Sequence, residues 1–461
     1  MKVFGSSGVR GVVNETLTPE YALQVAMAAG TVWRTDSGDS GVSRVAVAHD
    51  TRTSGGMIAD AARSGLASVG FDVDYLGTIP TPGAQAYADE QSIPALMVTA
   101  SHNPPQHNGI KLIGPDGIEL AVDDLEQVEQ RLLGERFERS QWDDIGQTRT
   151  IDGVRQAYID QLLEAVDRER IADADLTVAL DPGHGAGAVT SPQFFRELGC
   201  HVLTINAQPD GHFPGRKPEP VADNLGDLQR LVETSDADLG VAHDGDADRA
   251  IFVDETGSFI EGDAALAALA REELRAGDGV VSAVSSSQRL VDVADEVGAE
   301  LHLTQIGSSH IITKVQQLQK AGTRVPIAGE GNGGIIFPGY RTIRDGAYTA
   351  ARFCELLADR RASEIAADYD AYYNVRKNVS YADEGERSAM IDAIETVAHE
   401  TDAEVRTIDG HRLEFDDGWV LARPSGTEPL VRVYAEARDR DRAEQLASLM
   451  YDAITDAAAK S

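Results

Sequence analysis

The chain has 461 residues, more than one hydrophobic core supports, so two to four domains are expected. Its hydrophobic content of 42% is that of a globular protein, and no run approaches the roughly 18 apolar residues of a membrane span. The 76 acidic residues against 41 basic ones give a formal net charge of −35, which argues against nucleic acids and anionic membranes as partners.

Three stretches of the chain share one plan, in which an apolar strand runs into a small or polar turn and then into a helix. The strands are predicted at 44–48, 176–180 and 279–284, and the helices that follow them at 57–69, 192–198 and 288–297. Repetition at this spacing predicts three α/β domains of similar plan. In such domains ligands bind beyond the carboxyl ends of the strands.

After about residue 365 the pattern changes to short strands between two helices. The strands are predicted at 375–381, 404–408, 412–415, 419–423 and 431–436, and the helices at 386–399 and 440–459. A smaller α+β domain therefore closes the chain. The predicted domains are residues 1–148, 149–254, 255–366 and 367–461.

The first segment with chemical character is TASHNPP, residues 99–105, directly after a predicted strand at 95–98. Its two prolines forbid a continuing helix and favour a rigid loop. Such a loop would present Ser101 as a nucleophile beside His102 as a proton acceptor. A plain turn, in which Ser101 and Asn103 satisfy backbone groups, is the alternative.

The second is DGDADR, residues 244–249, after the apolar run 239–242. In an extended segment Asp244, Asp246 and Asp248 would share one side, where their charges require a cation. Oxygen ligands favour Mg²⁺ or Ca²⁺ over zinc. An EF-hand is disfavoured because Arg249 stands where that loop needs glycine. A solvated acidic loop is the other alternative.

The third is RPSGTEP, residues 423–429, followed by a further arginine. Guanidinium groups, hydroxyls and backbone amides of this kind bind phosphate oxygens. The alternative is a proline-flanked turn. The residues predicted to contact phosphate here are Arg423, Ser425, Gly426, Thr427 and Arg432.

Weaker signals are a glycine-rich N-terminal loop carrying Arg10, a lysine at position 111, and a loop at 329–334 whose Glu330 and Asn332 could bind vicinal hydroxyls. A surface role for Lys111 and a plain turn at 329–334 are the alternatives. Residues 183–188 fit a dinucleotide-binding pattern only loosely, because no acidic residue ends a second strand at the required spacing.

Taken together and in this order, these motifs resemble the α-D-phosphohexomutase family. The resemblance extends from the N-terminal FG-x-x-G-x-RG motif through TASHNPP, DGDADR and the GE-x-x-G loop to RPSGTEP. It implies three similar α/β domains with mixed sheets and a smaller α+β domain around a central cleft. The implied activity is interconversion of hexose 6-phosphate and hexose 1-phosphate through a phosphoserine and a hexose 1,6-bisphosphate.

The resemblance also implies residue roles. Ser101 would carry the phosphoryl group, with His102, Arg10, Lys111 and Arg249 as further catalytic residues. One Mg²⁺ would be held by Asp244, Asp246, Asp248 and the Ser101 phosphate. The implied substrate-binding residues are Glu330, Asn332, Arg423, Ser425, Gly426, Thr427 and Arg432.

One departure concerns the sugar loop. Many relatives read GE-x-SGH, whereas this chain has Asn332 for the serine and Gly334 for the histidine. The imidazole of that position is missing, and His310 and His102 are candidates to replace it. The Asn-Gly-Gly version resembles archaeal members with phosphoglucosamine mutase or dual phosphomannomutase/phosphoglucomutase activity.

The acidic coat, with only 7 lysines among its 41 basic residues, predicts a halophilic protein. The two cysteines are too few for a disulfide framework, and the N-terminus lacks an apolar leader, so a cytoplasmic protein is expected. The expected ligands are sugar phosphates, the first choice of hexose is glucosamine, and the expected state is monomer or homodimer. The rival functions are a phosphoserine-type sugar phosphatase and a non-catalytic sugar-phosphate binder.

Overall fold

The computed structural model describes residues 3–5, 8–36, 43–426 and 428–460. The chain separates into two compact units, one formed by residues 1–265 and 332–365 and the other by residues 266–331 and 366–461. Within the described residues, no helix is both long and apolar enough to cross a membrane.

The first unit begins with a six-stranded mixed sheet. Its strands are β1 (Val9–Val12), β2 (Arg44–His49), β3 (Asp72–Thr78), β4 (Ala95–Val98), β5 (His107–Ile113) and β6 (Thr148–Thr150), in the order β1-β5-β4-β2-β3-β6. β2 runs parallel to β3 and β4, whereas β5 pairs antiparallel with β1 and β4. The helices are α1 (Pro19–Asp36), α2 (Gly55–Ser68), α3 (Thr81–Gln91) and α4 (Val122–Leu133).

The alternation of side chains along β2 explains why this sheet is covered on both faces. Val45 and Val47 belong to the core formed with α1, α2 and α4. Ala46 and Ala48 face the opposite way and pack with residues of α3. A strand buried on both faces reads as one continuous apolar run. Polar residues follow where these buried strands end, in the loops after the carboxyl ends of β2 and β4.

A second sheet in the same unit has the order β11-β10-β9-β7-β8. Its strands are β7 (Thr177–Asp181), β8 (His201–Thr204), β9 (Leu239–Ala242), β10 (Ile251–Asp254) and β11 (Phe259–Ile260). β7 is parallel to β8 and β9, and β10 returns antiparallel to β9. The helices of this stretch are α5 (Val154–Ala165), α6 (Arg168–Asp173), α7 (Ser191–Glu197) and α8 (Gly226–Glu233). The next helix, α9 (Gly262–Glu273), begins in the first unit and ends in the second.

The third α/β stretch is divided between the units. The second unit holds β12 (Gly279–Ala283), β13 (Glu300–Thr304), β14 (Ile327–Glu330), α10 (Gln288–Val297) and α11 (Ser308–Lys320), with β12 parallel to both other strands. The first unit holds the antiparallel pair β15 (Gly334–Phe337) and β16 (Arg341–Arg344), followed by α12 (Gly346–Leu357). A short helix, α13 (Ala362–Ala367), comes next.

The C-terminal part of the second unit is a five-stranded antiparallel sheet in the order β17-β21-β20-β19-β18. Residues of its helices and strands share one hydrophobic core. The prediction of three α/β stretches and a smaller α+β domain is thus confirmed. The elements are β17 (Tyr373–Ser380), α14 (Glu384–Glu400), β18 (Glu404–Arg406), β19 (His411–Phe415), β20 (Gly418–Pro424), β21 (Leu430–Ala437) and α15 (Arg440–Ala458).

Candidate active site

Ser101 lies buried in the loop that follows β4. Its Oγ donates a 2.6 Å hydrogen bond to Asp244 Oδ2, and its backbone amide donates to Thr99 Oγ1 at 2.9 Å. The backbone of Ser101 is left-handed, with φ of 51°, a conformation that residues other than glycine adopt rarely. Strain of this kind persists only where surrounding contacts impose it, and it is concentrated at functional sites.

The three aspartates of DGDADR come together after β9, with ligand oxygens within 4.8 Å of one another. They do so on a turn, so the expectation of an extended segment was wrong. Ala247 in this turn has φ of 55°, which folds the chain back and brings Asp244, Asp246 and Asp248 to one point.

The Oδ1 atom of each aspartate is buried, and none accepts a hydrogen bond from any described residue. Unpaired buried carboxylate oxygens are costly, and a cation among them removes that cost. An all-oxygen donor set suits Mg²⁺ or Ca²⁺. The residues present therefore fit the divalent metal that the sequence predicts.

Two basic side chains neutralise part of the negative charge of this aspartate cluster. Lys111 Nζ, on β5, lies 3.0 Å from the Oδ2 atoms of both Asp246 and Asp248. Arg344, at the end of β16, places Nη2 2.6 Å from Asp248 Oδ2. Glu119 Oε1 lies 3.6 Å from Lys111 Nζ. Lys111 is therefore part of the site and not a surface lysine.

Burial and neighbouring charges shift the pKa values of Asp244 and Asp246 in opposite directions. Burial, together with the charges of Asp246 and Asp248, raises the pKa of Asp244 to about 8. Burial also acts to raise the pKa of Asp246, but Lys111, Thr81 and Arg344 together outweigh it, and the net pKa of Asp246 is lowered. Without a cation, Asp244 therefore takes up a proton before Asp246 does.

His102 and Arg249 form the other side of the serine. Arg249 Nη2 lies 3.2 Å from His102 Nδ1, and Ser101 Oγ lies 3.5 Å from the same nitrogen. Because a guanidinium only donates, this contact assigns Nδ1 as acceptor and places the imidazole proton on Nε2. Burial and the charges of Arg249 and Arg10 lower the pKa of His102 to about 2, so the ring is neutral.

Arg10, on β1, is held near this group by a 2.9 Å bond from Nη1 to Asn103 Oδ1. It pairs across β1 and β5 with Gly109. A Cβ on Gly109 would lie 3.0 Å from Arg10 Cγ and 2.5 Å from Val9 O. The glycine therefore makes room for Arg10 beside the serine loop.

In the second unit, the predicted phosphate loop lies between the ends of β20 and β21. Arg423 Nε lies 3.1 Å from Asp409 Oδ1, and Arg423 pairs across the strands with Arg432. Ser425 N donates to Leu430 O at 2.8 Å, which closes the loop. Gly426 is exposed, and Thr427 lies outside the described residues.

The two residues predicted to contact the sugar belong to different units. Glu330 ends β14 and is buried, in the second unit. Burial lowers the pKa of His310, and the charges of Asp409 and Glu330 oppose this only in part. Asn332 belongs to the first unit, where its Oδ1 accepts a 2.9 Å bond from Gly334 N.

Gly334, where relatives have histidine, is packed against Arg344. A Cβ at this position would lie 2.7 Å from Arg344 Cδ and 3.0 Å from Asn332 Oδ1. The space beside Gly334 is therefore filled by an arginine whose guanidinium reaches Asp248.

Sequence reasoning missed four residues that contact this site. Thr81 Oγ1 donates to Asp246 Oδ2 at 2.6 Å, and the sequence carries no signal for that contact. Arg344 likewise depends on a strand far from the aspartates in the chain, and Glu119, which follows β5, stands in no motif. Arg52 did have a signal, because it stands in a polar turn at the carboxyl end of a predicted parallel strand.

Comparison with known proteins gives one consistent result. A phosphoglucomutase/phosphomannomutase protein of Thermococcus kodakarensis is 41% identical over 97% of both chains. A probable phosphoglucosamine mutase of Methanopyrus kandleri is 39% identical over 98% of both chains. A crystal structure of a family protein from Burkholderia thailandensis superposes with a TM-score of 0.85 at 29% identity, covering 99% of this chain and 97% of that one.

Four family models match in succession. They are those of phosphoglucomutase/phosphomannomutase α/β/α domains I, II and III, at residues 1–139, 156–257 and 261–372, and of the C-terminal domain, at residues 377–453. These four matches cover most of the chain, including the segments that carry Ser101 and the three clustered aspartates. The chain therefore belongs to the phosphoglucomutase/phosphomannomutase family.

Proposed function

We propose that this protein is a phosphohexomutase that interconverts hexose 6-phosphate and hexose 1-phosphate with Ser101 as the phosphoryl carrier. The observation that carries the proposal is the 2.6 Å contact between Ser101 Oγ and Asp244, within a group of aspartates whose Oδ1 atoms have no hydrogen-bond partner among the described residues. A hydroxyl at this place can bear a phosphate whose charge a bound cation and nearby basic groups balance.

The proposed reaction has two transfers. The phosphoryl group passes from Ser101 Oγ to a free hydroxyl of the hexose phosphate, the proton of that hydroxyl ends on Ser101 Oγ, and a hexose 1,6-bisphosphate results. The bisphosphate turns over, and its other phosphoryl group passes to Ser101 Oγ while the serine proton ends on the sugar oxygen that is freed, leaving the isomeric monophosphate. Positioning and charge balance supply most of the acceleration in such transfers.

The basic residues have distinct proposed tasks. Arg10, Lys111 and Arg249 flank the transferred group and balance its charge. Neutral His102 accepts from Arg249 and fixes the orientation of that guanidinium near Ser101. A Mg²⁺ held by Asp244, Asp246, Asp248 and the Ser101 phosphate would, when bound, neutralise charge on the transferred oxygens.

The proposed substrate contacts follow from the chemistry of the side chains. The carboxylate of Glu330 and the amide of Asn332 would bind sugar hydroxyls. Guanidinium groups, hydroxyls and backbone amides would bind the phosphate that is not being transferred, and they belong to Arg423, Ser425, Gly426, Thr427 and Arg432.

For the sugar itself we propose glucosamine phosphate, in agreement with the name given to the Methanopyrus kandleri relative. Dual phosphomannomutase/phosphoglucomutase activity is the second candidate, favoured by the 41% identity to the Thermococcus kodakarensis protein. Coupled mutase assays in molar KCl with glucosamine, mannose and glucose phosphates decide between them by the ratio of kcat/KM values. We further propose a cytoplasmic monomer or homodimer.

The relay itself is tested by intact mass. Incubation with glucose 1,6-bisphosphate should add one phosphate to the wild type and none to Ser101→Ala, which should also lose turnover. Release of inorganic phosphate without the isomeric sugar phosphate would identify a phosphatase instead. Binding without any turnover would identify a sugar-phosphate binder.

A further inference from the structure

Arg52 is a buried arginine in the turn after β2, only 2% exposed. Its Nη2 donates to the carbonyl oxygens of Ser101 and Asn103 at 2.9 and 2.7 Å. Its Nη1 donates to those of Pro104 and His107 at 2.7 and 2.8 Å. One side chain therefore holds four carbonyls of the loop that carries Ser101.

A second path joins Arg52 to the amide side of Ser101. Arg52 Nε donates to Asp50 Oδ2 at 3.1 Å, and Thr99 Oγ1 donates to the same oxygen at 2.7 Å. Thr99 Oγ1 in turn accepts from Ser101 N at 2.9 Å. Both the amide and the carbonyl of Ser101 are thus fixed with reference to Arg52.

The guanidinium is also covered by residues of the second sheet's loops. Its Cζ lies 5.2 Å from the centre of the Phe213 ring. Gly211 approaches the same turn so closely that a Cβ would lie 2.3 Å from Thr53 N. The hydrogen bonds, the Phe213 ring and the close approach of Gly211 together restrict the position of the Arg52 side chain.

We propose that Arg52 is the positioning residue of the phosphoryl carrier, holding Ser101 in its left-handed conformation so that Oγ faces Asp244. The proposal rests on the proposed function only for its kinetic readout. A planar guanidinium with five donors can serve four carbonyls and a carboxylate together, whereas a lysine ammonium has three donors. The strained backbone of Ser101 therefore depends on an arginine at this position.

The test compares Arg52→Lys with Arg289→Lys. Arg289 is a matched control, because it is equally buried, binds the carbonyls of Tyr369 and Tyr372, and pairs with Glu436. Arg52→Lys should lower kcat about 100-fold and change KM less than about threefold, since the carrier is misplaced while the sugar contacts remain. Arg289→Lys should lose stability to a similar degree and keep its kcat.

An activity-independent readout is hydrogen exchange of residues 99–107. In Arg52→Lys these amides should exchange faster than in the wild type, and in Arg289→Lys they should not. A third arm adds millimolar methylguanidinium to Arg52→Ala, where partial recovery of kcat and of exchange protection is expected. Normal kcat and unchanged exchange in Arg52→Lys would overturn the proposal.

Two further outcomes are decisive. If the Arg52 variants do not fold, Phe213→Leu replaces them and should speed exchange in residues 99–107 and lower kcat severalfold; wild-type behaviour would overturn the proposal. If the wild type takes up no phosphate and interconverts no sugar, the proposed function fails, and faster exchange in Arg52→Lys alone still supports the positioning role.

Discussion

At the scale of single residues, Gly245 sets the distance between the serine loop and the aspartate turn. A Cβ on Gly245 would lie 2.5 Å from Ser101 O and 3.8 Å from Arg52 Nη2. Gly245→Ala should therefore push the two loops apart and lower kcat about 100-fold, because small misplacements are costly in positioned transfers. Steady-state kinetics measure this, with whichever hexose phosphate gives the highest kcat/KM in the wild type.

The control for that substitution is Gly226→Ala. Gly226 opens α8, and a Cβ there would meet no atom of the described residues within 4 Å beyond its chain neighbours and its own helix backbone. This variant should keep its kcat and gain slightly in stability, since alanine favours a helix. Equal kinetics in the two alanine variants would show that the contact of Gly245 with Ser101 does not matter.

The orphaned aspartate oxygens lead to a prediction about metal. Mg²⁺ should raise the melting temperature of the wild type, and at 100 times its Kd the stabilisation should be about 2.7 kcal/mol. Asp244→Asn should abolish most of this effect, because it removes a charged ligand. Differential scanning fluorimetry with Mg²⁺ and with EDTA measures it, and an equal Mg²⁺ response in both proteins would exclude the triad as the site.

The sequence predicts the members of the site that lie in local motifs, and misses those that arrive from elsewhere. Ser101 and Asp244 each stand in a short segment with its own chemical character. Arg344 on β16 reaches Asp248, and Thr81 on α3 reaches Asp246, only through contacts between segments far apart in the chain. Register is decided by packing of the whole sheet, which no local pattern records.

At the scale of elements, the cap of α12 contains a buried acid. Asp345 Oδ1 accepts from Tyr348 N at 3.0 Å and from Tyr158 OH at 2.9 Å. Burial raises the pKa of Asp345 to about 6 from its usual value near 3.8. Between these values the folded protein keeps a proton that the unfolded chain has lost, so the free energy of unfolding falls as pH rises and levels off above about 6.

Asp345→Asn should lack this contribution, since asparagine caps a helix equally well but does not titrate. The difference in unfolding free energy between variant and wild type should therefore grow in favour of the variant from about pH 4 to 6 and then stay constant. Urea denaturation across this range measures the difference. A difference independent of pH would contradict the assignment.

Elements with strong local patterns are predicted well, and the aspartate turn shows where the reasoning fails. The strand at 95–98 and the helix at 288–297 have the predicted bounds, because one is a run of buried apolar residues and the other starts at the capping residue Ser287. Alternating aspartates look like an extended segment, but the left-handed Ala247 turns the chain. A positive φ at alanine is imposed by tertiary contacts and leaves no sequence signal.

At the scale of the whole molecule, the repeated α/β plan is visible in the sequence, but the compact units are not. The third α/β stretch contributes β12 to β14 to one unit and β15 and β16 to the other. Which neighbours a strand contacts is a property of the folded chain, and sequence spacing does not determine it.

The net charge of −35 supports a prediction about salt for the entire chain. Repulsion among acidic groups destabilises the compact state, and the Debye length falls from about 10 Å at 0.1 M to about 3 Å at 1 M. The melting temperature should therefore rise with KCl, and most of the gain should come below 1 M, where the screening length changes most.

Exclusion of salt from the surface would instead give a rise that continues evenly to higher concentrations. Thermal unfolding from 0.1 to 3 M KCl, with sucrose as an uncharged excluded solute, distinguishes the two causes. A melting temperature that does not change below 1 M would contradict the halophilic interpretation of the acidic coat.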